Sequence, residues 1–206
     1  MIFGKTPILP TVQLDTVEGT LDDLVLLTMH FVEASFQLSF LLQYKTEQAA
    51  ITQFMSLLNR LELERYNKLL PLLLADNSSK FSTPQAIEQL NQCSYPFYCD
   101  AGKPYQKGSC ENTHTLIRHC IPKSTPLQLY TQDDINLITN YINNYTRTKL
   151  GNKSALDVFT FLYENGIPKL LYIKPIAPSN IILTPELINK QSYLLIFILF
   201  NFKNDK

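Results

Sequence analysis

Residues 11–18 (Thr-Val-Gln-Leu-Asp-Thr-Val-Glu) alternate, with Val12 and Leu14 facing one way and Gln13, Asp15 and Val17 the other, the period-2 pattern of a strand. Gly19 and Asp22-Asp23 mark a turn, and further strands are predicted over 24–31 and 36–44. The period then lengthens. Thr46 is placed to cap a helix of about five turns, with Ile51, Phe54, Met55, Leu58 and Leu61 on its inner face. Residues 69–75 form an apolar run with one proline, as suits a strand covered on both faces. Asp76-Asn77-Ser78-Ser79 reads as a turn, Thr83-Pro84 as the start of a short helix carrying Ile87 and Leu90, and residues 95–99 as the last sheet strand.

Between 99 and 123, a loop broken by Gly102, Pro104 and Gly108 leads into a short helix that Pro122 ends. Ser109 is a good N-cap, which puts Glu111 in the first turn. At about 100° per residue, Glu111, Thr115 and Arg118 share one face, and Leu116, Ile117 and Cys120 lie roughly opposite. A carboxylate there alone is what a helix dipole favours. Farther on, Thr131-Gln-Asp-Asp134 is a capping box for a helix bearing Ile135, Ile138, Tyr141, Ile142 and Tyr145.

Composition narrows the reading only slightly. The chain has 206 residues, 45% of them hydrophobic and 17% charged, which is enough for one substantial core. Its formal net charge is zero, so any surface that neutralises nucleic-acid phosphates must be local. Cys93, Cys99, Cys110 and Cys120 form no Cys-x-x-Cys pair, and their spacing to His114 and His119 is irregular for zinc. Buried thiols in a reducing cytoplasm are expected instead. Pro7 and Pro10 interrupt any leader-like apolar stretch, and the run at 193–200 is too short to span a bilayer, so no membrane association is expected.

Cys99-Asp100, Tyr105, Gln106, Lys107, Gly108, Ser109, Glu111-Asn112-Thr113, Leu116-Ile117-Arg118 and Pro122-Lys123 form a long ordered series. It resembles the end of the catalytic domain in bacterial insertion-sequence transposases of the IS-thirty type. A second resembling piece lies at 143–159, and the likeness extends over roughly residues 12–160. It implies an α/β, ribonuclease-H-like (retroviral-integrase-like) fold, a mixed sheet flanked by helices with a C-terminal helical extension. The implied layout is a catalytic core over 1–125, the extension over 126–191 and an apolar tail over 192–206 that is foreign to the family.

The family carries an Asp-Asp-Glu triad. Asp15 opens Asp-Thr-Val-Glu-Gly, similar to the family's Asp-Thr-Val/Ile-x-Gly. Asp76-Asn77-Ser78-Ser79-Lys80-Phe81 resembles its Asp-Asn-Gly-Ser-Glu-Phe, and Glu111 supplies the third acid. The separations, 76 − 15 = 61 and 111 − 76 = 35, are close to the family layout. The resemblance thus implies Asp15, Asp76 and Glu111 as catalytic residues and as ligands of two Mg²⁺ or Mn²⁺ ions. Hard cations prefer such oxygen donors, and a metal pair suits in-line attack at phosphorus. Taken singly, the three acids are a turn Asp, an edge-strand Asp and a helix-dipole Glu. Lys107, Asn112, Arg118 and Lys123 are the DNA-facing candidates, with Arg147 and Lys149 farther along. His30, His114 and His119 are assigned to the core or to solvent.

The partners implied are transposon-end and target DNA, and further copies of the chain in a homo-oligomer when active. The implied location is the bacterial cytoplasm, on the nucleoid when DNA is bound. Several positions depart from the family. Val12-Gln13-Leu14 replaces Trp-Glu-Gly, Phe31-Val32-Glu33-Ala34 replaces a basic segment, and Lys80 and Cys110 stand where an acid and Asn are usual. Met1 stands fourteen residues before Asp15, so the family's upstream helix-turn-helix module is expected to be missing. These departures define the alternative, an inactive remnant that only dimerises or binds DNA weakly.

Overall fold

The computed structural model describes residues 9–20, 23–44, 46–75, 94–99 and 108–188, with the backbone alone at 108–112. The predicted helix after Thr83 and the apolar run at 193–200 lie outside these residues. Strands β1 (Thr11–Glu18), β2 (Val25–Phe31) and β3 (Phe36–Leu42) form an antiparallel meander. Helix α1 (Glu47–Leu69) then returns the chain to β4 (Leu72–Ala75), which joins β1 in parallel, and β5 (Tyr95–Tyr98) joins β4 in parallel. The sheet order is β3-β2-β1-β4-β5. Helices α2 (Gly108–Cys120), α3 (Gln132–Asn144), α4 (Ala155–Leu162) and α5 (Ile167–Leu170) follow. Among the described residues, no helix is long and apolar enough to cross a membrane.

Strand alternation gives the sheet two unlike faces. One face is apolar through most of the meander: Val12 and Leu14 of β1, Val25, Leu27, Met29 and Phe31 of β2, and Phe36, Leu38, Phe40 and Leu42 of β3, with Thr16 and Glu18 continuing β1 on that side. Helix α1 covers it, and Phe159 of α4 stacks on Phe36 at 4.0 Å between ring centroids and meets Phe31 edge-on at 5.4 Å. At about 25 cal/mol per Å² removed from water, each such side chain contributes roughly 1.5–3 kcal/mol. The opposite face is apolar only at one end. There Val17, Leu26 and Leu41 pack beneath Ile117, Cys120 and Ile121 and beneath Ile135, Ile138 and Ile142 of α3. Its other positions are Gln13, Asp15, Thr28, His30, Gln37 and Ser39, polar groups beneath a helical layer.

Helix α1 differs from the sequence expectation. Its inward stripe is Ala50, Phe54, Leu57 and Leu61, while Met55 is 48% exposed. Met55 lies about 130° around the helix from the centre of that stripe. Glu62, at φ 62° and ψ 160°, interrupts the helix, and Tyr66 and Leu69 reach the core only after this break. Helix α2 opens at Gly108, so Ser109 lies inside its first turn instead of capping it. The capping box at α3 is formed, with Thr131 and Asp134 each satisfying the other's backbone N–H. A second joins Ser154 and Asp157 at α4.

Strand β3 is a sheet edge, where unpaired backbone groups need partners. Side chains of α3 and the residues after it supply them. Asn143 accepts from Gln37 N at 2.9 Å and donates to Gln37 O at 2.7 Å, as a neighbouring strand would. Gln132 accepts from Leu41 N at 2.7 Å and donates to Ser39 O at 3.1 Å. Arg147 donates to Ser35 O at 2.6 Å and to Ile142 O at 2.9 Å. Arg147 as a residue is only 8% exposed and its guanidinium serves the fold, so Arg147 is removed from the DNA-facing candidates.

Candidate active site

Asp15 sits in the central strand, on the polar face of the sheet. Its backbone pairs with Thr28 on β2, and its carboxylate is partly exposed, with Oδ1 accepting from Thr16 N at 2.8 Å. Gln13 lies opposite Leu74, so the C-terminal end of β4 runs beside Asp15. Helix α2 crosses above. Its positions Thr113, Ile117 and Cys120 are buried, while Thr115 and His119 face solvent.

His114 links that helix to the strand. Nε2 is 2.9 Å from the Thr28 hydroxyl, which donates to Asp15 O at 3.1 Å, and Nδ1 is 3.9 Å from Asp15 Oδ2. One residue earlier, the Thr113 hydroxyl is 3.3 Å from Nδ1 of His30. His30 is fully buried in β2, between Gln13 and Gln37. Burial, then the cations of Lys149 and Arg147 and the neighbouring His114, hold it down at about 3, so its imidazole is neutral at ordinary pH. Among the described residues its Nε2 has no hydrogen-bond partner.

Beside this cluster an open cleft of about 470 Å³ is lined by Thr16, Glu18, His114, Thr115, Arg118 and Lys123. Arg118 donates from Nη2 to Glu18 O at 2.6 Å, which pins it to the end of β1. Partial burial lowers its pKa from an arginine's ordinary value, but a guanidinium titrates so high that it stays charged. Lys123 is exposed at the rim, and its carbonyl accepts from the Thr20 hydroxyl.

Of the residues singled out in the sequence, Arg118 and Lys123 line this cleft, and Asp15 stands next to its wall at Thr16 and His114. Glu111 and Asn112 belong to α2, with only their backbone described, and Asp76 and Lys107 lie outside the described residues. Sequence reasoning missed Thr28 and His114. Thr28 becomes visible only once its register opposite Asp15 is known, whereas His114 carried a local signal, three residues after Glu111 and so one helical turn away. Among the described residues, no three His, Cys, Asp or Glu side chains cluster as a metal site. Burial pushes the Cys120 thiol up to about 11, which makes it inert.

No protein-family model matches the chain. It is 35% identical over 74 residues to the transposase of insertion sequence element IS1086 from Cupriavidus metallidurans, a stretch that is 36% of this chain and 22% of that protein. It is 39% identical over 71 residues to the transposase InsI of element IS30A from Escherichia coli K12, covering 34% of this chain and 18% of that protein. With the transposase of element IS4351 from Bacteroides fragilis it shares 32% over 89 residues, 43% of this chain and 27% of that protein. The matches therefore span well under a third of these relatives. Among solved structures, the catalytic core domain of BIV integrase superposes with a TM-score of 0.54 at 14% identity, over 73% of this chain and 93% of that one. A chain of the simian T-cell lymphotropic virus intasome superposes with a TM-score of 0.57 at 12% identity, over 72% of this chain and 53% of that one. Over about a third of its length the chain is thus similar in sequence to insertion-sequence transposases, and over nearly three quarters it has the ribonuclease-H-like fold of a retroviral integrase catalytic core.

Proposed function

We propose that the chain is the catalytic core of a DNA transposase, which cuts and joins DNA strands by metal-dependent phosphoryl transfer. Asp15, Asp76 and Glu111 are its acidic triad. The observation that carries this reading is the position of Asp15 in the central strand. It lies beside the end of β4, whose last residue, Ala75, immediately precedes Asp76, and below α2, which bears Glu111. His114 approaches Asp15 within 3.9 Å and stands three residues after Glu111, so a single helical turn separates the two positions.

Asp15 fits a hard cation such as Mg²⁺ or Mn²⁺, since an aspartate on a partly exposed strand position offers the oxygen that such cations take, and two ions would be shared with Asp76 and Glu111. Asp15, with Asp76 and Glu111, would hold divalent ions whose charge would stabilise the attacking and leaving oxygens of an in-line displacement. The chain itself fixes where this takes place. Thr28 holds the main chain at Asp15, and Arg118, tied to Glu18 O, presents a fixed cation at the cleft for a phosphate. With a net charge of zero, DNA affinity rests on local groups such as Arg118, Lys123, Lys107 and Asn112. It is accordingly weak, salt-sensitive and indifferent to sequence in the isolated chain. Acting on transposon ends and a target in an assembly of several copies belongs to the same proposal.

Nicking of supercoiled plasmid, with Mg²⁺ or Mn²⁺ and with EDTA, tests the reading. Asp15→Asn, Asp76→Asn and Glu111→Gln should each reduce the rate at least about a hundredfold, roughly 2.7 kcal/mol of lost transition-state stabilisation. Nicking that survives chelation or Glu111→Gln refutes the mechanism. A folded chain that nicks nothing at any metal concentration is instead the inactive, weakly DNA-binding remnant.

A further inference from the structure

We infer that His114 is a nitrogen ligand to the cation held at Asp15, so that the centre combines an imidazole with its carboxylates. This rests on the reading of Asp15 as a metal-binding residue. The Thr28 hydroxyl has a single proton, which it donates to Asp15 O at 3.1 Å. Its oxygen, 2.9 Å from His114 Nε2, is then an acceptor, so Nε2 carries a ring hydrogen and, in the neutral imidazole that a metal requires, Nδ1 carries the lone pair.

That lone-pair nitrogen is the one turned to Asp15, 3.9 Å from Oδ2. The distance is too long for a hydrogen bond, and it is one that two ligands of a single ion adopt. With metal–ligand bonds of ~2.1 Å, two donors sit about 3.0 Å apart at right angles and about 4.2 Å apart when opposed. The outer partner fits as well, because a metal-bound imidazole characteristically donates its remote N–H to an oxygen, here that of Thr28. The sequence supplies an independent sign. Glu111-Asn112-Thr113-His114 is a Glu-x-x-His series within α2, the i, i+3 spacing that brings a glutamate and a histidine to one ion in helical metal sites. An imidazole ligand favours transition metals over Mg²⁺, so Mn²⁺ is the cation of choice.

The test uses the full chain and Mn²⁺ alone. Free Mn²⁺ is followed by electron paramagnetic resonance during titration, and the bound ion is examined by electron spin echo for ¹⁴N modulation. The wild type should show the coupling of a coordinated imidazole. His114→Asn should abolish that coupling and weaken Mn²⁺ binding about tenfold or more, and Asp15→Asn should weaken binding at least as much. Asp15-dependent Mn²⁺ binding with no imidazole coupling overturns the inference and leaves the proposed function standing. Coupling that persists in His114→Asn, arising from His30 or His119, overturns it too. If Asp15→Asn leaves Mn²⁺ binding unchanged, the metal-binding reading of Asp15 falls, and the inference with it. A wild-type spectrum without imidazole coupling overturns the inference whether or not a variant folds, and His114→Gln repeats the comparison if His114→Asn does not fold.

Discussion

His30 should make the protein sensitive to mild acid, by an amount that can be worked out in advance. Folding depresses its pKa from 6.5 to about 3. Below pH 6.5 the unfolded chain takes up a proton that the folded chain refuses, so stability falls as pH falls and levels off only near pH 3. At 1.36 kcal/mol per pH unit, the whole fall from 6.5 to about 3 corresponds to roughly 5 kcal/mol. Between pH 7 and 5 the loss is about 2 kcal/mol. His30→Leu removes the titrating group together with Nε2, which has no partner among the described residues. Urea denaturation of both proteins at pH 7 and pH 5 gives the comparison, with each midpoint and slope converted to a free energy. The wild type should lose about 2 kcal/mol more than His30→Leu over that interval. Losses equal within about 0.5 kcal/mol would refute the assignment of a buried, neutral imidazole.

Asn143→Ala leaves the buried N–H and C=O of Gln37 without their partners. It should cost roughly 2–6 kcal/mol, at about 1–3 per group, measurable by urea denaturation. Phe159→Ala empties the space between Phe31 and Phe36 and should cost about 3–5 kcal/mol in the same assay. Arg65→Ala breaks the contacts to Glu164 at 3.0 and 3.2 Å, but both side chains meet solvent, so less than about 1 kcal/mol should be lost.

How far the sequence could be read depended on the range of the interaction. Strand β1 was legible because period 2 is local: Val12 and Leu14 against Gln13 and Asp15 define both faces without knowledge of any neighbour. The capping box at Thr131 was legible for the same reason. The stripe of α1 was not, because its apolar residues populate adjoining stripes and only the sheet chooses between them, while the break at Glu62 resets the phase. Arg147 looked like a surface cation in a basic stretch. Nothing near it announces Ser35, 112 residues earlier, as its partner. At the candidate site, Asp15, Arg118 and Lys123 could be found from the resemblance, whereas Thr28 enters only through strand register.

The clasp on β3 also fixes a length scale. Gln132 and Asn143 are 143 − 132 = 11 residues apart, roughly 16 Å along the helix. Their backbone partners Leu41 and Gln37 are 41 − 37 = 4 residues apart, roughly 13 Å along the strand. Side-chain reach absorbs the difference, but sliding α3 by one helical turn of 5.4 Å would detach both amides at once. The helix is therefore indexed to the sheet like a gear tooth. Because α2 shares its apolar layer with α3 above Val17 and Leu26, the height of α2 over Asp15 is set by amides at the far edge of the sheet. Alignment of the cleft is thus held from a distance, by residues that never approach it.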